Sequence, residues 1–128
     1  HPGLGRRPMH ACSCSKAIAA HAEEAFRDDI LAGPLRSYTD HTRTAATALR
    51  AEFAEIRARG YAECVEEIEM GVSSVAAPIQ IGGVGATLSV GATGPIRRFQ
   101  PTYRARIGAH LIDLAGRLSG AIRLRGDA

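Results

Sequence analysis

Residues 72–90, VSSVAAPIQIGGVGATLSV, decide the fold. Val72 to Ile81 is a run of β-branched and small residues and reads as a strand. Gly82-Gly83 supplies the positive φ values that a two-residue hairpin turn needs. Val84 to Val90 returns as a second strand. Val84, Ala86, Leu88 and Val90 fall on one face, and Gly85, Thr87 and Ser89 on the other. Pro78 has no N–H to give a ladder, which predicts an edge or a bulge near it. Gly91 to Pro95 reads as the break that ends the strand. The glycines of Gly82-Gly83-Val84-Gly85 do not form a phosphate loop. A dinucleotide fingerprint needs a third glycine and opens a helix, whereas Leu88 stands at that position and a strand follows.

Outward from the hairpin the pattern turns helical. Upstream, Leu49, Phe53 and Ile56 recur at spacings of four and three on one helix face. Thr44 is placed to cap that helix, Glu55 and Arg59 sit four apart, and Gly60 stands where a helix C-terminus takes a left-handed residue. Tyr61 to Glu66 reads as a further strand, and Met70-Gly71 as a turn. Two short helices precede these elements. One begins at Cys12 or Ser13, and the other runs from about Ala22 to Leu31, with Glu23 and Glu24 in its first turn, and ends at Gly33-Pro34. Downstream, Pro101 opens a long helix whose stripe is Ile107, Leu111, Leu114, Leu118 and Ile122. Helices, an antiparallel hairpin system and a last helix make an α+β domain with helices packed on an antiparallel sheet.

The chain has 128 residues, which fits one domain, and 45% are hydrophobic, far above a disordered composition. No run of eighteen apolar residues occurs, so no membrane span is expected. It begins with His1 and no basic-then-apolar leader follows, so we read it as a piece of a longer protein. The formal charge is +3, but the 16 basic residues are scattered among 13 acids. A nucleic-acid surface would gather them on one face. Three cysteines, Cys12, Cys14 and Cys64, cannot make a complete disulfide framework, which points to a reducing, cytoplasmic setting.

Several groups carry candidate chemistry. Pro8 to Lys16 runs from a loop into a helix start, where free N–H groups hold anions such as carboxylates. His10, Cys12 and Cys14 are possible metal ligands in type, yet structural zinc sites space their cysteines more widely and need a fourth ligand. No metal and no cofactor is therefore expected. A thiol enzyme would need one of the cysteines beside a base such as His10, His21, His41 or His110, and no local protease signature is present. The acidic run Glu66, Glu67 and Glu69 reads as a solvated edge. Arg97, Arg98, Arg104 and Arg106 read as a solvated face.

Taken in order, these segments resemble the effector domain of IclR-type transcription regulators. Pro8-Met9-His10-Ala11 leading to Lys16-Ala17 is similar to that family's proline, apolar, histidine, alanine block with its later lysine and alanine. Tyr38-Thr39 with Thr42 resembles its threonine pair. Leu49-Arg50-Ala51-Glu52-Phe53 through Arg59-Gly60-Tyr61-Ala62 is the closest match. Glu66-Glu67, Met70-Gly71-Val72, Val75-Ala76-Ala77-Pro78-Ile79, Leu88-Ser89-Val90 and Gly94-Pro95 follow in the family's order. The resemblance implies a GAF/PAS-like fold whose curved antiparallel sheet cups a small organic or aromatic acid. Residues 1–128 would be a single, partial effector-binding domain that lacks the winged helix-turn-helix. It implies a homodimer or tetramer that reaches DNA only through a domain absent from this chain, with no enzymatic activity. The ligand-binding residues it implies are Met9, Ser13, Cys14, Cys64, Ser74 and Ser89.

Departures from the family pattern shape that expectation. Ser13, Cys14 and Ser15 stand where the family often has Gly or a small apolar residue, and Cys64 stands where it often has Asp. Loss of that Asp removes a negative charge, which favours an anionic or less polar effector. The stretch before Gly94-Pro95 is longer than usual, which leaves open whether Gly91 or Thr93 faces the pocket. The reading that competes with an effector domain is a cysteine-based thiol enzyme or redox sensor.

Overall fold

The computed structural model describes residues 8–81 and 86–126. Its elements are α1 (Ser13–Ala20), α2 (Glu24–Ala32), α3 (Ala46–Arg59), β1 (Ala62–Val65), β2 (Val72–Gln80), β3 (Ala86–Pro95) and α4 (Pro101–Gly126). The strands form one antiparallel sheet in the order β1-β2-β3. Pairing aligns Cys64 with Ser74 and Ala62 with Ala76, and on the other side of β2 it aligns Ser74 with Thr93 and Ala76 with Gly91. The architecture is the expected α+β arrangement of helices on an antiparallel sheet. The expected Gly82-Gly83 turn lies outside the described residues.

The two sheet faces build separate cores, because alternate residues of a strand point to opposite sides. Ala62 and Ala76 pack with Ala17, Ala20, Leu49, Phe53 and Ile56 of α1 and α3. Val75, Ala77 and Ile79 pack with Phe99, Leu111 and Ala115 on the α4 side. α1 is made almost wholly of small residues, which lets its axis lie close to the strands. Two guanidinium groups close its C-terminus: Arg27 and Arg57 both donate to the Ala20 carbonyl, at 3.3 and 3.1 Å. Cations are favourable at that end of a helix.

Some local expectations hold and others do not. Gly60 does end α3 in the left-handed region, at φ 93°, and its N–H bonds the Ile56 carbonyl at 2.7 Å. Thr44 is not the cap of α3. The cap residue is Ala45, which makes no side-chain bond, so the helix starts one residue later than the hydroxyl would require. Pro78 lies past Ala76, the last residue of β2 with a β1 partner, and one residue before the bulge at Ile79/Gln80.

Gly91 to Pro95 does not break β3. The strand continues through it, paired residue by residue with Val72 to Ala76. The long partner strand supplies a ladder that outweighs weak glycine propensity. The α4 stripe is also shifted. Leu114 and Ile122 are exposed, while Leu111, Ala115 and Ser119 are buried. Small residues are what the close approach of α4 to the sheet accommodates.

Candidate functional site

The site is built where the start of α1 crosses the sheet. The backbone of Ala11 and Cys12 closes onto the Pro8 carbonyl at 3.1 and 3.0 Å, a tight turn that delivers the chain into α1. Cys12 is the cap residue and makes no side-chain capping bond. Ser13 reaches the sheet: its Oγ lies 2.7 Å from Ser74 Oγ of β2. Cys64 stands directly across from Ser74 on β1, so its sulfur shares the Ser74 face of the sheet. Three polar side chains from three elements thus meet on one sheet face.

Register puts the remaining candidates on that same face. Ser89 pairs with Pro78, Gly91 with Ala76 and Thr93 with Ser74, so all three share the α1 side of β3. Both Gly91 and Thr93 therefore face α1. A Cβ on Gly91 would stand 3.1 Å from Cys14 Sγ and 3.0 Å from the Val75 carbonyl. Cys14 thus occupies the room that a side chain at position 91 would take. Met9 and Cys14 are partly buried and pack on the α1/α3 core. Ser89 is half-buried on the strand, and no bond joins it to the Ser13–Ser74–Cys64 group in the contacts observed.

Behind this group lies a buried charge cluster. Lys16, one turn after Ser13, is wholly buried. Its Nζ donates to Glu52 Oε2 at 2.6 Å and to Glu67 Oε1 at 2.8 Å. Arg43 Nη1 lies 2.9 Å from the other Glu52 oxygen, in ion-pair contact without hydrogen-bond alignment. Two cations and two carboxylates make the cluster formally neutral. Glu67 is only 5% exposed, so it is not the solvated edge residue its neighbours suggested. Glu66 sits in the left-handed region at φ 56°, and this turns the next residue inward. Thr39 and Thr42 pin the turn by donating to the Glu66 and Glu67 carbonyls.

The cluster was missed in the sequence, though a signal was present. Lys16 is the only lysine in a chain of arginines, and it stands three residues from Ser13 on the face of α1 that carries Ala17 and Ala20. A cation at a core-facing position requires buried acids. Which acids answer it depends on tertiary contacts 36 and 51 residues away.

Burial and the negative charge of Glu67 push the Cys64 thiol above its ordinary range, with the Glu67 N–H, Lys16 and Ser74 opposing. A raised thiol is the reverse of what a nucleophilic cysteine requires. Burial likewise raises the Glu67 carboxyl, and Lys16 offsets part of that. His10 is engaged elsewhere: its Nε2 lies 2.7 Å from the Arg36 carbonyl and its ring stacks on Tyr38. Among the described residues no group of three or more His, Cys, Asp or Glu is placed to hold a metal ion. Among them, too, no helix is long and apolar enough to cross a membrane.

Two cavities are lined by other residues. One, of about 330 Å³, is lined by charged groups that include Arg43, Glu52, Glu55, Glu63 and Glu67. The other, also about 330 Å³, lies between α4 and the end of β2, lined by His21, Pro78, Gln80, Ile112, Gly116 and Ser119 among others. The linings of these two cavities do not include Ser13, Cys14, Cys64, Ser74 or Ser89.

With that geometry in hand, the similarities can be placed. Residues 4–120 match the family described as Bacterial transcriptional regulator IclR C-terminal. The chain is 34% identical to the HTH-type transcriptional regulator BhcR of Paracoccus denitrificans, over 99% of this chain and 46% of that protein. Among solved structures, a putative IclR transcriptional regulator from Silicibacter superposes with a TM-score of 0.81 at 30% identity, covering 91% of this chain and 46% of that one. An IclR homologue from Microbacterium hydrocarbonoxydans, solved in complex with 4-hydroxybenzoate, superposes with a TM-score of 0.73 at 32% identity, covering 90% and 48%. The chain spans less than half the length of the curated relatives it matches. The fold, the ordered motifs and these similarities agree: the chain belongs to the IclR family of bacterial transcriptional regulators, where it corresponds to the C-terminal domain.

Proposed function

We propose that this chain is the effector-binding and oligomerisation part of a cytoplasmic transcription regulator. It senses a small organic or aromatic acid and is not an enzyme. The observation that carries the reading is the meeting of Ser13, Ser74 and Cys64 at the start of α1. A carboxylate entering there exchanges the Ser13–Ser74 hydrogen bond for two charge-assisted ones, which are stronger. First-turn N–H groups add donors with the right sign of field. Met9 and Cys14 supply an apolar wall, and Ser89 a further hydroxyl on the same sheet face. The 4-hydroxybenzoate in the Microbacterium homologue supports an aromatic acid as the ligand class.

The chain acts as a homodimer or tetramer and reaches DNA only through a domain outside these residues. Thermal-shift measurements with small carboxylic and aromatic acids test the reading. At a hundred times its Kd an acid adds about 2.7 kcal/mol of stability. A panel that leaves melting unchanged removes the support for an acid effector.

A further inference from the structure

The charge cluster behind the hydroxyl group has no role in the reading above. Its position gives it one. Lys16 follows Ser13 by three residues, so both occupy one face of α1. Glu67 is joined to the same place by its carboxylate, which accepts from the N–H of Val65, next to Cys64, at 3.3 Å and holds Lys16 at 2.8 Å. Cys64 pairs with Ser74 across the sheet, and Ser74 bonds Ser13. Lys16 and Glu67 are thus charges placed next to the Ser13–Ser74–Cys64 group. Both are buried, so water screens them little. Glu52 also holds Lys16 directly, at 2.6 Å, and Arg43 stands beyond it, 2.9 Å from the other Glu52 oxygen.

Resting on the effector reading, we propose that Lys16 and Glu67 set the charge preference of the Ser13–Cys64–Ser74 hollow. Lys16 is the cation that an acid's carboxylate faces through the wall. Glu67 tempers it, so the hollow accepts a single carboxylate without holding it irreversibly. These two are positioning and specificity residues that never touch the ligand.

Cys64 is a built-in reporter of that field and needs no ligand. The test follows the cysteine signals of [13Cβ]cysteine-labelled protein against pH, with the Cys64 signal identified by Cys64→Ser. Glu67→Gln keeps the Lys16–Glu52 pair and removes one negative charge. It moves the Cys64 titration to lower pH, and Lys16→Met moves it to higher pH. A second measurement compares 4-hydroxybenzoate with its neutral amide by calorimetry. Glu67→Gln raises the acid-over-amide preference about tenfold, the size expected of one unit charge acting through a partly desolvated wall. A purely structural role changes both ligands alike and leaves the ratio unmoved. A Cys64 titration that is the same in wild type and Glu67→Gln overturns the proposal. If neither ligand binds the wild-type protein, 4-hydroxybenzoate is excluded as the effector, and the titration still decides whether the field exists.

Discussion

Ser13 and Ser74 share a hydrogen bond of 2.7 Å across 61 residues of sequence, tying the first turn of α1 to the central strand. Ser13 is 2% exposed, so its hydroxyl has no water to fall back on. Ser74→Ala therefore leaves a buried hydroxyl without its partner and costs about 1–3 kcal/mol by chemical denaturation. Ser89→Ala, on a half-buried hydroxyl of the same face, stays within about 0.5 kcal/mol. Equal losses at the two positions would contradict this ranking.

Lys16→Met leaves Glu52 and Glu67 buried around an apolar side chain. Removing one partner of a buried ion pair costs about 3–5 kcal/mol. Urea unfolding should show that loss at pH 7. Arg43→Met, which removes the half-exposed partner of Glu52, costs less than about 1 kcal/mol, in keeping with solvent-screened pairs.

These residues show what the sequence made legible. Periodicity located the helices and strands: Leu49, Phe53 and Ile56 are buried as their spacing requires, whereas Leu88, on the alternating apolar face of β3, is exposed and marks a strand without marking core. Ser13, Cys64 and Ser74 were singled out only through the resemblance to a family; nothing in their spacing brings them together. Lys16 with Glu52 and Glu67 was not legible as a unit, because each looks ordinary alone and their burial is a product of packing. The end of β3 was misread for a related reason. Gly91 and Gly94 look like breakers in isolation, and only the long β2 ladder, the close crossing of α1 at Gly91 and the Phe99 ring packed on Gly94 explain why small residues stand there.

Gly91→Ala tests that crossing. Its new Cβ would stand 3.1 Å from Cys14 Sγ and 3.0 Å from the Val75 carbonyl. Overpacking of this kind costs about 1–3 kcal/mol. Adding Cys14→Ala relieves the sulfur contact but not the carbonyl one, so it restores part of the loss. A double mutant whose loss is the simple sum of the two singles would show that positions 14 and 91 do not interact.

The raised Cys64 thiol makes stability fall in alkali. Its folded pKa lies above the ordinary value of 9.0. The native state therefore holds the proton over a range in which the unfolded chain has lost it. The contribution is fully present below that ordinary value and is lost as pH rises through the folded one. Cys64→Ser removes this titration, so melting temperature against pH should be flatter above pH 9 in the variant than in wild type. Parallel curves would place the alkaline loss elsewhere.

The effector account is tested most directly by a 15N–1H NMR titration of the chain with 4-hydroxybenzoate and with pyruvate, an aromatic and an aliphatic acid. The account predicts saturable shifts for at least one of them, centred on the amides of Ser13, Cys14, Cys64, Ser74 and Ser89. Shifts centred instead on the charged cavity around Arg43 and Glu55, or no saturable shift with either acid, would contradict it.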